Sequence, residues 1–165
     1  MTKKISQAGR QLAAIKVGEI AEAKVKEIFN LEEPYIEIKS CCSNYYRAII
    51  RALQLKNNYR CNKTYCIVIY DRGGVKNKCS VDEAFENRLL WFYFIGARQL
   101  TKIIRKDESR YLRDNSPPSD RGDTSFYHVK LSSIKRLLSK KHGVEYKGHR
   151  IRILGNIPPQ EEIPF

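Results

Sequence analysis

Two dense apolar runs constrain this chain more than anything else in it: TYCIVIYD at residues 64–71 and LLWFYFIGA at residues 89–97. Each falls short of the roughly 18 apolar residues that a membrane-spanning helix needs. Both are rich in β-branched and aromatic residues, and the first is bounded by Asn-Lys before it and Gly73-Gly74 after it, the punctuation of a strand. A strand that is apolar on both faces needs cover on both, so the runs predict buried central strands in a sheet flanked by helices.

The remaining segments supply that cover. Between residues 5 and 29, Ile5, Leu12, Ile15, Ile20, Val25 and Ile28 recur at helical spacing with no internal proline, which predicts a long amphipathic helix. In PYIEIKS, Ile36 and Ile38 alternate with Tyr35, Glu37 and Lys39, the period of a strand with one apolar face. A second helix is expected from a cap at Ser43 or Asn44 to about Tyr59, with Tyr46, Ile49, Ile50 and Leu53 as its apolar stripe. Residues 72–87 read as a loop with one helical turn, residues 98–112 as a basic helix, and NSPPSDRGD at 115–123 as a surface loop. SFYHVKL reads as a strand, SIKRLLSKK as a helix, and VEYKGHRIRIL as a hairpin turning at Lys147-Gly148. The tail NIPPQEEIPF is expected to be extended, its prolines blocking helix. The expected fold is thus α/β: one domain over 1–165, three layers, a mixed central sheet flanked by helices. Its core would run from about 5 to 112, with a C-terminal strand-helix-hairpin extension over 124–155.

Charge narrows the class of partner. Thirty-one Lys and Arg oppose eighteen Asp and Glu, a formal charge of +13, and such a surface field attracts polyanions. No basic amphipathic helix with a bulky apolar face points to a membrane surface, and MTKKISQAGRQ lacks the apolar core of a secretory signal. Cys41, Cys42, Cys61, Cys66 and Cys79 form an odd set of irregular spacing. They read as reduced thiols in a cytoplasm rather than as a disulfide framework or a zinc site.

The sharpest chemical feature is Glu37-Ile38-Lys39. Residues two apart on a strand project from the same face, about 6–7 Å apart along the chain, so a carboxylate and an ammonium share one site. That pair suits metal-assisted phosphodiester hydrolysis. A hard Mg²⁺ (or Mn²⁺) takes carboxylate oxygen, while a lysine orients the attacking water or offsets developing charge.

A helix carrying Glu19, a strand with E-x-K, a helix carrying Gln54 and then a buried strand resembles the core of the PD-(D/E)xK nuclease superfamily, over roughly residues 10–72. That superfamily includes many restriction enzymes and Holliday-junction resolvases. The resemblance implies a restriction-endonuclease-like fold and a metal-dependent endonuclease acting on duplex or branched DNA. It makes Glu37 the metal-binding acid, Lys39 the motif lysine and Glu19 the acid of the first helix. Gln54, with Arg51 and Arg47 one and two turns earlier, would stand near the scissile strand. The chain departs from the pattern in having no Asp between Met1 and Ile38. Glu33 shares strand parity with Glu37 and is the nearest substitute, but four extended residues would separate the two by about 13 Å without a bend; Glu32 is the other substitute.

Lys and Arg interleave with Tyr in YYRAIIRALQLKNNYR and RQLTKIIRKDESRYLR, a pattern suited to phosphate contacts. Arg47, Arg51, Arg98, Lys102, Arg105, Lys106, Lys135 and Arg136 are the candidate DNA-binding cations. The rival expectation is a DNA-binding protein without catalysis, either a degraded nuclease or a winged-helix regulator built from SIKRLLSKK and the hairpin. Duplex cleavage, which attacks two strands, makes a homodimer the natural assembly.

Overall fold

TYCIVIY forms strand β3 (Thr64–Tyr70) and LLWFYFIG forms β4 (Leu89–Gly96), paired antiparallel. The computed structural model describes residues 7–42, 47–70, 89–113 and 125–159; the expected loops at 72–87 and 115–123 and the expected cap at Ser43 or Asn44 lie outside them. Strand β1 (Ile36–Cys42) runs parallel to β3 on its other side. Beyond β4 lie β8 (His149–Gly155), parallel to it, and β7 (Lys141–Tyr146), antiparallel to β8. The result is a five-stranded mixed sheet in the order β1-β3-β4-β8-β7.

Alternation along β3 feeds two cores. Cys66, Val68 and Tyr70 join Phe92, Phe94, Ile151 and Ile153 on one face, while Tyr65, Ile67 and Ile69 join Tyr93, Ile95 and Leu154 on the other. Fully burying each large side chain of this kind contributes roughly 1.5–3 kcal/mol, which is why an unbroken apolar run is stable only in the interior.

Helix α1 (Gln7–Phe29) covers the first face through Val17, Ala21 and Val25, one turn apart, with Phe29 set edge-on against Phe92 and Phe94 at 5.1 and 5.2 Å. It stops at Asn30, whose φ of 57° lies in the left-handed region that asparagine tolerates at a helix end. The second face carries α2 (Ala52–Arg60), α3 (Ala97–Lys106), α4 (Glu108–Tyr111) and α5 (Leu131–Leu137). It also carries a three-stranded sheet ordered β2-β6-β5, from Arg47–Arg51, Phe126–Lys130 and Leu112–Arg113. The chain is therefore mixed α/β with helices on both faces of the main sheet, as expected.

One expected element is corrected. Residues 47–51 form strand β2, and the helix starts only at Ala52. Ala48 and Ile50 point inward while Arg47, Ile49 and Arg51 are exposed, a period of two that overrides the helical reading of the same residues. The expected hairpin forms around Lys147 and Gly148, both at positive φ (47° and 77°), the geometry that matches the twist of two-residue hairpins. Lys147 reaches Glu27 of α1 at 3.2 Å and pins that turn to the helix. Among the described residues no helix is long and apolar enough to cross a membrane. Cys41 and Cys66 are buried and Cys61 is exposed.

Candidate functional site

Strand β1 is an edge of the main sheet, and its parity divides its side chains. Ile36 and Ile38 pack under α1, so Glu37, Lys39 and Cys41 face the other layer, where Cys41 joins the second core. Across the sheet Glu37 is in register with Tyr65, and Tyr65 with Ile95. Glu37 is only 6% exposed, and its Oε1 lies 3.1 Å from Lys39 Nζ, whose side chain keeps 23% of its exposure. A carboxylate is thus buried, and its partner lysine leads from it toward solvent.

Tyr65 lines the same site from β3. Its hydroxyl accepts a 2.9 Å hydrogen bond from Asn58 Nδ2 of α2. Burial pushes the phenol above its ordinary range, the Asn58 bond opposes this, and the negative charge of Glu37 adds to it, so Tyr65 is neutral at physiological pH. Gln54 lies one turn before Asn58 on the same helix face. Its side-chain oxygen is buried and has no hydrogen-bond partner among the described residues.

The second carboxylate comes from the turn before β1. Tyr35 and Ile36 amides both donate to Glu32 O, which folds the chain back so that Glu33 Oε1 accepts the amide of Ile38 at 3.1 Å. The 13 Å separation expected for an extended chain is thereby removed. Partial burial raises the Glu33 pKa, the Ile38 amide lowers it, Glu37 and Glu22 raise it, and Lys39 lowers it. Glu32 points elsewhere, toward Lys26 at 3.3 Å.

Glu19, the expected helical member, is not brought into this group. It is exposed and two residues from both Val17 and Ala21, which places it about 200° around the helix from that buried ridge. The α1 acid whose charge reaches Glu33 is Glu22. Among the described residues no three His, Cys, Asp or Glu side chains gather closely enough to hold a metal ion by themselves.

The expected DNA-binding cations fall into separate groups. Arg47 and Arg51 are exposed on the outer face of β2, not two turns and one turn before Gln54 on a shared helix. Arg98, Lys102, Arg105 and Lys106 are exposed on α3. Arg98 and Arg105 lie 5.5 and 5.4 Å from the centre of the Tyr59 ring, and Arg98 Nε donates to Tyr59 O at 3.4 Å. Lys135 and Arg136 are exposed on α5, and Lys135 lies 5.9 Å from the Trp91 ring centre.

The sequence reading did not single out Glu22, Asn58, Tyr59, Tyr65 or Trp91. Tyr65 and Trp91 sit inside apolar runs that look like plain core, and only the register across strands reveals what they touch. No protein-family model, curated protein or solved structure gives a significant match to this chain.

Proposed function

We propose that the chain is a metal-dependent endonuclease of the PD-(D/E)xK type that hydrolyses DNA phosphodiester bonds, with Glu37 and Lys39 at its centre. The observation that carries this reading is the buried Glu37 carboxylate, held by Lys39 at 3.1 Å beside a second carboxylate folded onto the same strand. A buried ion pair is a poor stabilising device, because desolvating two charges offsets most of their attraction. A carboxyl such as Glu33, whose pKa is raised by burial and by neighbouring acids, is in contrast characteristic of functional sites.

The donor set fits Mg²⁺ or Mn²⁺. Mg²⁺ is usually held by one or two carboxylates, with water and substrate phosphate completing its shell. Glu37 and Glu33 are the residues that would hold it, and its positive charge would offset the repulsion that Glu33 feels from Glu37 and Glu22. When bound, such an ion polarises the phosphoryl oxygen and makes water acidic enough to attack. Lys39, 3.1 Å from Glu37, would donate a hydrogen bond to the attacking water or offset the charge developing on phosphate. Gln54, with an unpaired buried oxygen, offers a polar contact from α2. Two clefts, of about 820 and 670 Å³, are lined by neither Glu37 nor Lys39. The exposed cations of β2 and α3 supply phosphate contacts, and a homodimer would present two such sites to a duplex.

Binding without cleavage is the second reading, favoured by the lack of a three-ligand group among the described residues. It does not take the winged-helix form easily, because β8 is hydrogen-bonded into the main sheet beside β4 rather than projecting as a wing. The deciding experiment is incubation of supercoiled, linear and branched DNA with the protein in Mg²⁺, Mn²⁺ or EDTA, alongside Lys39→Ala. Metal-dependent cleavage lost in the variant supports the nuclease. DNA binding with no cleavage, or cleavage indifferent to Lys39→Ala, removes it.

A further inference from the structure

We infer that the outer face of the β7–β8 ribbon, with Trp91 at its inner margin, is a phosphate-binding surface for a nucleic-acid strand, separate from the Glu37 site. Three cations from three elements surround the Trp91 ring. Lys135 Nζ of α5 lies 5.9 Å from the ring centre, Lys141 Nζ of β7 5.4 Å, and Arg152 Cζ of β8 5.6 Å. Each contact is within the range of a cation–π attraction worth roughly 0.5–1 kcal/mol at an exposed site. That attraction gathers like charges which otherwise repel.

Nothing else described neutralises them: none of the ion pairs among the described residues involves Lys135, Lys141 or Arg152. Register extends the patch. Arg152 pairs with Gly143 and Arg150 with Glu145, so Arg150 and Arg152 share a face, about 7 Å apart along the strand, and the exposed acid Glu145 stands on that face opposite Arg150. A Cβ on Gly143 would lie 2.8 Å from Arg150 Nε; glycine there leaves room for the arginine to lie flat across the ribbon. Lys141, Arg150 and Arg152 are exposed, whereas Ile151 and Ile153 on the opposite face are buried in the core under α1.

An aromatic ring edging a strip of cations is the composition of surfaces that track a nucleic-acid backbone. The cations are strung along an open ribbon rather than converging in a pocket, which favours a polymer over a single small phosphate. The one ring that these cations surround, Trp91, is partly buried against the core rather than presented as an outward apolar face, which argues against a lipid surface. Strand register places Trp91 two strands across and four residues along from Glu37, about 16 Å away. The inference does not depend on cleavage.

Trp91 is the only tryptophan in the chain, so its fluorescence reports on this surface. Full-length protein in EDTA, where cleavage is silent, is titrated with single-stranded and duplex oligonucleotides at several salt concentrations. The expected result is a saturable change in Trp91 emission that follows binding measured by anisotropy of a labelled oligonucleotide. A Lys135→Gln, Lys141→Gln, Arg152→Gln triple variant should bind about tenfold or more weakly, with the slope of log K against log salt shallower by roughly two to three. Circular dichroism checks that the variant is folded. Binding that leaves Trp91 emission unchanged, or a folded triple variant with the wild-type salt slope, overturns the proposal. An equal affinity for inorganic polyphosphate overturns its assignment to nucleic acid. None of these outcomes bears on cleavage at Glu37, which the plasmid assay judges separately.

Discussion

The amide of Ile38 donates to Glu33 Oε1 across 3.1 Å, so the carboxylate that precedes β1 is bound back onto the strand that carries Glu37. Its pKa is raised above the ordinary 4.5, by burial first and then by the charges of Glu37 and Glu22. Between the unfolded and the raised folded value the folded chain binds more protons. The contribution of Glu33 to stability therefore falls as pH rises upward from 4.5 through that window. Glu33→Gln abolishes this titration. Urea unfolding measured across the acid range should show the downward slope in the wild type and its reduction in the variant; identical slopes would detach Glu33 from the acidic group.

A divalent ion that binds only the folded chain stabilises it by mass action. At tenfold excess over its dissociation constant the gain is about 1.4 kcal/mol, a rise in Tm of roughly 3–6 °C for a chain of this size. Thermal unfolding in Mg²⁺ or Mn²⁺ should show it, and Glu33→Gln/Glu37→Gln should not. A wild-type Tm indifferent to both ions at all accessible concentrations would count against the metal site independently of any activity assay.

Lys39→Ala leaves the Glu37 carboxylate buried without its partner. Because Lys39 itself keeps part of its exposure, the expected cost is about 1–3 kcal/mol, below that of breaking a fully buried pair. Glu37→Gln removes the charge that needs compensating and should cost less, about 1 kcal/mol. Denaturant unfolding of both single variants and the double variant should give a coupling energy of about 0.5–3 kcal/mol. Additive effects would mean that the two side chains do not interact in solution.

Two glycines at positive φ should respond differently to alanine. Gly148, at φ 77°, has open space around it, so Gly148→Ala pays only the left-handed backbone penalty of about 1–2 kcal/mol. At Gly155, φ 90°, a Cβ would collide with the carbonyl oxygen of Phe94 on the neighbouring strand. Gly155→Ala should cost about 3 kcal/mol or more, and similar midpoints for the two variants would contradict that close approach.

The parts of the fold legible in the sequence were those with one possible period. β3 and β4 are apolar at nearly every position, and Lys147-Gly148 fits one kind of turn. Residues 47–51 differ from the expected helix because Ile49, Ile50 and Leu53 satisfy a helical stripe, while Ala48 and Ile50 also satisfy strand alternation. Pairing with β6, where Ala48 meets Val129 and Ile50 meets Tyr127, decides between them, and Ile49 and Leu53 end up 56% and 46% exposed. At the site, Glu37 and Lys39 could be read because their spacing is local. Glu33 needed a turn that spacing alone cannot specify. Asn58 and Tyr65 meet only once α2 has folded onto the sheet, and the cations around Trp91 come from α5, β7 and β8, far apart in the chain.

The pairing of β8 with β4 also bears on how the chain must be made. Phe92 is in register with Ile153, so a nascent polypeptide emerging from the ribosome carries β4 well before the strand that will border it exists. During that interval the LWFYFI row has a bare, strongly apolar margin, the kind of template on which chains assemble edge to edge. Products of premature termination before residue 149 should therefore precipitate rather than accumulate as folded fragments.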